Sequence, residues 1–515
     1  MEIERNVFHS LIYFFIALFL GKSRGRVMNE ATPGWLRRPG FHRLLEKMGS
    51  VESRSSYQKH LARFLPDEQA DIDGVFSSLL GSEEALTPKG GKAVKKGLTL
   101  GMLKARVKDA LPESMVMRLY DGMKSIQWSE KSPGPNSSVA KEQFVVFMSV
   151  LLKGNAEEKS SILLNMVSRA AGNVKGHQIL EFAEDLVGSV VHVLNVRKQL
   201  RGWDPMNMQN STTGVKTLAS QLVSELKSAD GKKTEGAQVL DVTCDESSIE
   251  DWIFRIPQVS AFLSVILQQG LLVLHSLPDQ CRDTVPLLPE CKGVKGHRFV
   301  SLLDLPSIIY INSQLPAELR HKWRLLFSSR LHGESFTQLC SHIVNKGPCV
   351  LVLKDSDGYI FGGFSSCSWE VKPQFQGNNG CFLFSIFPSI AVFTYTGYND
   401  HYMYLNHGQQ MMPNGLGMGG QHEYFGLWVD SNYGEGHSKA KPKCTTYNSP
   451  QLSAKENFTL DALEVWAVGD LPTSDAGKGP KSVLDVDPEA QALLEMIGKS
   501  RQSDGLREDG DNDSE

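Results

Sequence analysis

Histidine and carboxylate side chains, which serve both acid–base catalysis and metal binding, are concentrated between residues 400 and 437. A hydrolase or a metalloenzyme could be assembled from such a set. The chain has neither the Gly-x-Ser-x-Gly elbow of a hydrolase nor the His-Glu-x-x-His motif of a zinc protease. No motif therefore indicates either kind of enzyme. We therefore predict polar loop residues, no catalytic residues and no enzyme, with an enzyme at this cluster as the alternative. The residues are His401, His407, His422, His437, Asp400, Glu423, Asp430 and Glu435.

Two further patterns are typical of cofactor or metal sites. Gly415–Gly420 satisfies G-x-G-x-x-G, but a dinucleotide site requires a parallel strand before the motif and a helix after it. An apparent strand, Phe425–Val429, follows instead, so we predict a glycine-rich loop in an antiparallel connection. We accordingly predict no nucleotide cofactor and no metal. The second pattern is a group whose spacing fits no standard zinc ribbon: Cys281, Cys291, His275 and His297.

Helical patterns alternate with loops in the N-terminal half, as they do in calcium-binding EF-hands. A calcium loop needs oxygen ligands at alternate positions, a glycine at position six and a glutamate at position twelve. Asp71-Ile-Asp73-Gly74 contains a fragment of this pattern and then continues into Val75 and Phe76, and the segment after Asp121 lacks the ligands. The sequence predicts a degenerate EF-hand-like scaffold without calcium.

The elements that would position such residues differ between the two halves of the chain. From Pro66 to about residue 200 apolar residues recur with helical spacing, as in the stripe formed by Ile72, Val75, Phe76 and Leu79. A lone histidine on one of these helices, His192, is predicted to be a core residue. The stretch from Ile249 to Leu277 is predicted to be a buried helix that bridges to the second half.

The C-terminal half has β-type patterns. Val350–Lys354 and Tyr359–Phe364 flank a turn in which Gly358 can adopt a positive φ, which predicts a β-hairpin. Short strands joined by turns indicate an antiparallel sandwich and not a βαβ sheet. Further strands are predicted at Gly380–Phe387, Ile390–Tyr395, Phe425–Val429 and Leu463–Val468.

At these residues the chain resembles the TLDc domain family. Five blocks carry the resemblance in the correct order: Leu315–Arg320, Trp323–Ser328, Asp357–Phe364 with Trp369 and Glu370, Phe425–Asp430, and Leu463–Ala467. The resemblance implies a TLDc antiparallel β-sandwich with flanking helices, which we place at residues 301–470.

The N-terminal half is similar to the myristoylated, lysosome-associated member of that family that is linked to mTOR signalling. This likeness implies a non-enzymatic adaptor that binds the vacuolar-type ATPase through its TLDc domain. It also implies mTOR pathway components as partners and a location in the cytoplasm and on the cytoplasmic face of the lysosomal membrane. The blocks that carry it are Phe64–Gln69, Arg118–Met123, Leu151–Lys159 and Phe182–Leu194.

The predicted fold class is α+β, with an all-helical EF-hand-like region followed by the sandwich and a C-terminal helix. The formal net charge of −4 offers no basic face for nucleic acid. The eight cysteines include no Cys-x-x-Cys pair, which favours free thiols. The predicted order is an extension (1–63), the helical domain (64–227), a linker and helical bridge (228–300), the TLDc domain (301–470), a linker (471–485), an amphipathic helix (486–501) and an acidic tail (502–515).

The first residues offer two routes to a membrane. Val7–Leu20 is nearly all apolar, but as a helix it spans about 21 Å, less than a hydrocarbon core of about 30 Å. Met48-Gly49-Ser50-Val51-Glu52-Ser53 fits the N-myristoylation pattern, which requires glycine at the amino terminus. We predict that Gly49 is lipidated if translation starts at Met48, and that residues 1–47 are an alternative extension.

The predicted C-terminal helix has an apolar stripe that must be buried against something. Asp487 and Pro488 supply an N-cap and a proline at the first helical position. Docking on its own domain is one possibility, and insertion into a groove of a partner is the other. The partner-binding residues we predict are Val486, Leu493, Leu494 and Ile497.

Overall fold

In a computed structural model of the chain, the described residues are 57–81, 97–127, 138–168, 172–227, 240–272, 286–294, 299–439 and 441–471. Helices dominate up to residue 272, and an antiparallel sheet with short helices follows. The predicted α+β class is confirmed. Over the described residues, no helix is both long and apolar enough to span a membrane. The run Val7–Leu20, Gly49 and the helix predicted at 486–501 lie outside these residues.

The first four helices form two helix–loop–helix units. The chain segments that precede the second and fourth helices meet in an antiparallel bridge between Leu98 and Val139, with two N–H···O bonds of 2.8 Å. A short bridge between two loops is also how EF-hands pair, so the arrangement resembles an EF-hand pair. The helices are α1 (Pro66–Leu80), α2 (Leu100–Val107), α3 (Glu113–Ser125) and α4 (Lys141–Lys153).

A second such pair follows. Its two short strands, β1 (Val174–Lys175) and β2 (Thr243–Cys244), pair in antiparallel fashion, with Val174 opposite Cys244. Because β2 and the helix after it belong to this pair, the helical region continues past the predicted boundary at residue 227. The helices are α5 (Ala156–Val167), α6 (Gly176–Val196), α7 (Ser211–Val223) and α8 (Glu246–Arg255).

The calcium-loop fragments lie within helices. Asp71, Asp73 and Gly74 are part of α1, and the Asp73 carboxylate forms an ion pair with Lys141 Nζ at 3.0 Å. Asp121 is part of α3. A helical backbone cannot wrap oxygen ligands around one cation as a calcium loop does. The residues of these fragments are therefore parts of helices and do not form a calcium loop.

The prediction that His192 is a core residue is wrong. Its ring is only partly buried, and its Nε2 lies 2.7 Å from the carbonyl oxygen of Asp109. This contact joins α6 to the short 3₁₀ helix Lys108–Ala110. The apolar neighbours of His192 in the sequence, Val190 and Val193, are buried, but His192 itself lies on a different face of the helix.

The helical bridge begins at Pro257, which occupies the first turn of α9 (Pro257–Val265). A π-helical segment, Ile266–Leu271, continues it. Ile266, Leu267 and Leu271 are fully buried, so this part of the predicted buried helix is confirmed.

Among the described residues of the C-terminal half, twelve strands form one sheet, and they make two layers because one long strand is shared. The strands are β3 (Glu290–Lys292), β4 (Lys322–Ser328), β5 (Cys349–Asp355), β6 (Ile360–Ser365), β7 (Lys372–Gln376), β8 (Phe382–Phe387), β9 (Ala391–Thr394), β10 (Met403–Asn406), β11 (Gly415–Met418), β12 (Leu427–Asp430), β13 (Glu435–His437) and β14 (Asn457–Val468). The helices between them are α10 (Leu305–Gln314), α11 (Ser329–His332) and α12 (Phe336–Ile343).

Strand β14 is the shared strand. Its first residues pair with β13, with Thr459 opposite Glu435, and its last residues pair with both β5 and β4. One layer therefore runs β7-β10-β11-β12-β13-β14, and the other contains β3, β4, β5, β6, β8 and β9 beside β14. The pairing of β3 with β4 is parallel. Buried residues of both layers form one core between them, for example Leu353 of β5 and Leu405 of β10. This is the predicted antiparallel sandwich.

The predicted hairpin is confirmed as β5 and β6, with Leu351 opposite Gly363. Gly358 has φ +90° in the turn. The Asp355 carboxylate fixes the turn, since it accepts a hydrogen bond from the Tyr359 N–H at 2.8 Å and another from Ser453 Oγ at 2.8 Å.

The Gly415–Gly420 motif is only partly a loop, which corrects the prediction. Gly415–Met418 is strand β11, with Leu416 opposite Leu405 of β10 and opposite Val429 of β12. A strand and not a helix follows the motif, so the geometry required by a dinucleotide pyrophosphate is not present.

The helical region and the sandwich share one hydrophobic core. Trp203, after α6, lies with its ring centroid 5.0 Å from that of Trp466 on β14 and 6.2 Å from that of Trp323 on β4. The Trp203 Nε1–H donates to the carbonyl of Pro289 at 3.0 Å. The segment 299–304 runs between the two parts: the Ser301 N–H donates to the Asn207 carbonyl at 3.0 Å. We call the contact between the two parts the interdomain contact.

Candidate functional site

The structure separates the histidine cluster into two places. His407 lies against Phe336 of α12, with ring centroids 5.5 Å apart. His401, His422 and His437 lie instead among aromatic rings on the outer face of the layer that contains β10 and β12. The eight residues singled out in the sequence therefore do not form a single site.

We call the second group the aromatic face. It contains four aromatic side chains and three imidazoles, and Phe425 stacks on Trp428 with ring centroids 4.5 Å apart. Glycines on β11 make room for these rings, since a Cβ at Gly417 would lie 2.6 Å from Phe425 and one at Gly415 would lie 2.3 Å from Trp428. The members are Phe375, His401, Tyr404, His422, Phe425, Trp428 and His437.

The imidazoles of the aromatic face are held mainly by ring contacts. His401 stacks on Phe375 at 4.1 Å, and its Nδ1 lies 2.5 Å from the Gly420 carbonyl oxygen. Burial lowers the pKa of His422, and burial lowers the pKa of His437 to about 4. These two rings are thus neutral near pH 7, which suits packing against other rings.

Metal binding by these side chains is not supported. Among the residues that the structure describes, no group of three or more His, Cys, Asp and Glu side chains is placed to hold a metal ion. A catalytic site would need an acid–base pair or a nucleophile within hydrogen-bond reach. The arrangement is suited to shaping a surface.

A polar groove borders the aromatic face. It has a volume of about 410 Å³ and lies at the edge formed by β12, β13 and the start of β14. Asp430, Glu435, Trp428 and His437 are among the residues that line it. The side chains of Asn457, Phe458 and Thr459 complete the lining.

The described cysteines are free thiols, as predicted. Burial raises the pKa of Cys349 to about 12 and that of Cys340 to about 11, so the reactive thiolate is disfavoured. Cys291, from the zinc pattern, is free and its pKa is raised to about 12. Its proposed partners Cys281, His275 and His297 lie outside the described residues.

Two buried carboxyls at the interdomain contact were missed in the sequence. Glu464 on β14 is 1% exposed and Asp304, before α10, is 7% exposed. Burial raises the pKa of Glu464 to about 7 and raises that of Asp304. The available signal was the position of Glu464, a charged residue within the apolar run Leu463–Val468 that was predicted to be a strand.

The sites predicted from the resemblance and from the C-terminal pattern are not among the described residues. Gly49 precedes them, and the apolar stripe lies beyond residue 471. Both therefore stay predictions. The stripe residues concerned are Val486, Leu493, Leu494 and Ile497.

Comparison with known proteins agrees with the fold. Residues 299–469 match the TLDc domain, two residues before the predicted start and one before the predicted end. The chain is 68% identical to MTOR-associated protein MEAK7 of Gallus gallus over 461 residues, which cover 90% of this chain and 98% of that protein. The Homo sapiens protein of the same name is 56% identical over 461 residues, covering 90% and 99%. The chain belongs to the TLDc-domain family that includes these proteins.

A more distant relative shares part of the chain. Oxidation resistance protein 1 of Bos taurus is 33% identical over 250 residues, which cover 46% of this chain and 28% of that protein. The two MTOR-associated proteins therefore match nearly the full length of this chain, whereas the Bos taurus protein matches less than half of it.

Proposed function

We propose that the protein is a non-enzymatic adaptor that associates with mTOR pathway components and supports mTOR signalling. The observation that carries this proposal is the similarity, over 98% and 99% of their lengths, to two proteins named MTOR-associated protein MEAK7. The similarity covers 90% of this chain and so includes both the helical region and the TLDc domain, and the single core that joins the two parts supports their acting as one body.

The non-enzymatic part of the proposal is supported by the chemistry of the described side chains. The imidazoles of the aromatic face are engaged with other rings. The pKa values of the buried thiols Cys349 and Cys444 are raised, so neither is an activated nucleophile. Binding surfaces need shape and not reactivity, and the groove beside His437 offers such a surface.

The partner we propose is the vacuolar-type ATPase, bound through the TLDc domain. The location we propose is the cytoplasmic face of the lysosomal membrane, together with the cytoplasm. The resemblance to the lysosome-associated TLDc protein supports both. A myristoyl chain on Gly49 would be a marginal anchor by itself, because one such chain binds membranes only reversibly. A protein partner on the membrane would supply the second attachment.

The test is a co-elution experiment with purified soluble sector of the vacuolar ATPase. The protein starting at Met48 is mixed with the sector, with and without residues 482–515. Co-elution is the expected result, and its loss on truncation would assign the C-terminal segment as a binding element. Failure of both forms to co-elute would contradict the ATPase part of the proposal.

The alternative is an enzyme or a protein that protects against oxidative stress, with a site in the TLDc loops. The name of the Bos taurus relative favours it. Alanine at both His422 and Glu423 separates the two: an adaptor keeps its partner binding and an enzyme loses turnover in a peroxide-consumption assay. Alanine at His407, which lies outside the aromatic face, is the matched control.

A further inference from the structure

Glu464 is a buried carboxyl that holds two parts of the chain together. Its Oε1 accepts a hydrogen bond from the Leu302 N–H at 2.7 Å, and its Oε2 accepts one from Ser301 Oγ at 2.9 Å. The Trp466 Nε1–H also donates to Oε2, at 3.1 Å. The side chain thereby fixes the segment 299–304 against β14.

The same segment is fixed from the other side by the helical region. The Ser301 N–H donates to the Asn207 carbonyl at 3.0 Å, and Gln209 Nε2 donates to the Ser301 carbonyl at 3.2 Å. The Gln209 N–H donates to the Leu303 carbonyl at 3.4 Å. The Trp466 ring that donates to Glu464 is also the ring that contacts Trp203. Glu464 therefore lies beneath the interdomain contact.

The surroundings of Glu464 offer hydrogen-bond donors but little opposite charge. Across the strands it faces Ser328 of β4 and Val352 of β5, neither of which titrates near neutral pH. The cation that acts on it is Arg330 of α11, whose side chain is 41% exposed and lies 4.0 Å from the Asp461 carboxylate. A buried carboxylate that lacks a close cation pays a desolvation cost that hydrogen bonds only partly offset.

We propose that Glu464 makes the interdomain contact proton-linked, so that the contact is tighter when this carboxyl is protonated than when it is ionised. Burial raises the pKa of Glu464 to about 7 from its ordinary 4.5, although its three hydrogen bonds and Arg330 act to lower it. When the contact opens and water reaches the carboxyl, the pKa returns toward the ordinary value. The closed form therefore binds the proton more tightly, and raising the pH from about 4.5 to about 7 favours opening.

Asp304 contributes in the same direction at the same contact. It caps α10 by accepting hydrogen bonds from Ser307 N–H at 2.9 Å and Ser307 Oγ at 2.5 Å. Its carboxylate reaches across to Gly214 of α7, where an added Cβ would lie 1.9 Å from Asp304 Oδ2. Burial raises the pKa of Asp304 as well. Asp304 thus links the segment 299–304 to the helical region, while Glu464 holds the same segment on β14.

The test is amide hydrogen exchange of the full chain between pH 6 and pH 8, corrected for the intrinsic pH dependence of exchange. The reporters are the Ser301 and Gln209 amides, which bridge the contact. From the displaced pKa we expect their protection to fall about tenfold over this range. The fall should shrink in Glu464→Gln and persist in Asp461→Asn, a carboxyl on the same strand that is 44% exposed.

Each outcome decides the matter. A flat profile in the wild type, or an undiminished fall in Glu464→Gln, overturns the proposal. Glu464→Met is the second neutral variant should the glutamine not fold, because it keeps the chain length without a charge. Should neither variant fold, the wild-type profile together with Asp304→Asn decides: a tenfold fall that survives in Asp304→Asn supports Glu464, and a fall abolished there overturns the assignment.

Discussion

Trp203 and Trp466 lie 5.0 Å apart between ring centroids although 263 positions separate them in the chain (466 − 203 = 263). One follows a helix of the EF-hand-like region and the other lies on the shared strand β14. The two rings are 4% and 0% exposed, so this pair closes the core between the two halves of the protein. The interdomain contact is therefore part of the folded core and not a loose tether.

We predict that Trp203→Ala lowers the free energy of unfolding by about 3–5 kcal/mol, because it removes a buried indole and leaves a cavity between Trp466 and Trp323. Chemical denaturation measures the change. Phe254→Ala is the matched control, because Phe254 is an aromatic residue of the helical region that is 79% exposed. Equal effects of the two substitutions would contradict the role of Trp203.

Gly362→Ala should destabilise the sandwich by about 1–3 kcal/mol, since a Cβ there would lie 1.9 Å from the Leu351 carbonyl oxygen of the neighbouring strand. Gly101→Ala is the control: on α2 its Cβ would meet nothing within 4 Å, and the substitution should be neutral or stabilise by up to about 1 kcal/mol. Melting temperatures of the two variants should therefore move in different directions or by clearly different amounts.

Arg118→Lys is predicted to cost about 2 kcal/mol. Arg118 Nε donates to the Asp185 carboxylate at 2.6 Å while its Nη1 donates to the Met166 and Val167 carbonyls at 3.0 and 3.2 Å, and a lysine cannot reproduce this fork. The contact joins α3, α5 and α6. Lys104→Met, which removes a more exposed ion pair with Glu113, should change stability much less. Urea unfolding of both variants provides the comparison.

The free energy of unfolding should decrease as the solution becomes acidic, because the pKa of His437 is lowered in the folded protein. Its pKa in the folded protein is about 4, against an ordinary 6.5, so between these values the unfolded chain binds the proton and the folded chain does not. The contribution of a neutral His437 is thus present above pH 6.5 and is lost as the pH falls toward 4. His437→Phe, which keeps a ring beside Trp428, should lose less stability than the wild type between pH 7 and pH 5. Thermal unfolding at both pH values shows whether the difference has this sign.

For the C-terminal segment, we predict that aspartate at both Leu493 and Leu494 abolishes partner binding without changing the melting temperature. A charged pair would break the apolar stripe that the sequence predicts there. Co-elution and thermal unfolding are measured on the same preparation. A large fall in melting temperature would instead support docking of this helix on its own domain.

Local signals explain which elements could be predicted from the sequence. The hairpin of β5 and β6 depends on Asp355 and Gly358, which lie three positions apart in the chain, so the signal for the turn is local. The stripe of α1 likewise follows from helical spacing, and Ile72, Val75 and Phe76 are all buried.

Elements that depend on distant pairing could not be predicted. Gly415–Met418 has the composition of a loop and becomes a strand because β10 and β12 supply hydrogen-bond partners on both sides. Glycine there is required because the rings of Phe425 and Trp428 occupy the place of a side chain. The role of Glu464 depends on Ser301, which is 163 positions away. Local spacing does not reveal the partners in either case, although Glu464 itself stands out as a charge within an apolar run.

The shared strand β14 has a consequence for how the protein is made. It follows β4–β13 in the chain, yet it lies at the centre of the strand order and completes both layers. While a ribosome is still translating the residues before Asn457, each layer lacks its inner neighbour and exposes unpaired backbone edges. The sandwich, and the core that it shares with the helical region, cannot be completed until residue 468 has left the exit tunnel. Nascent chains stalled before that point are thus the forms most exposed to aggregation and most dependent on chaperones.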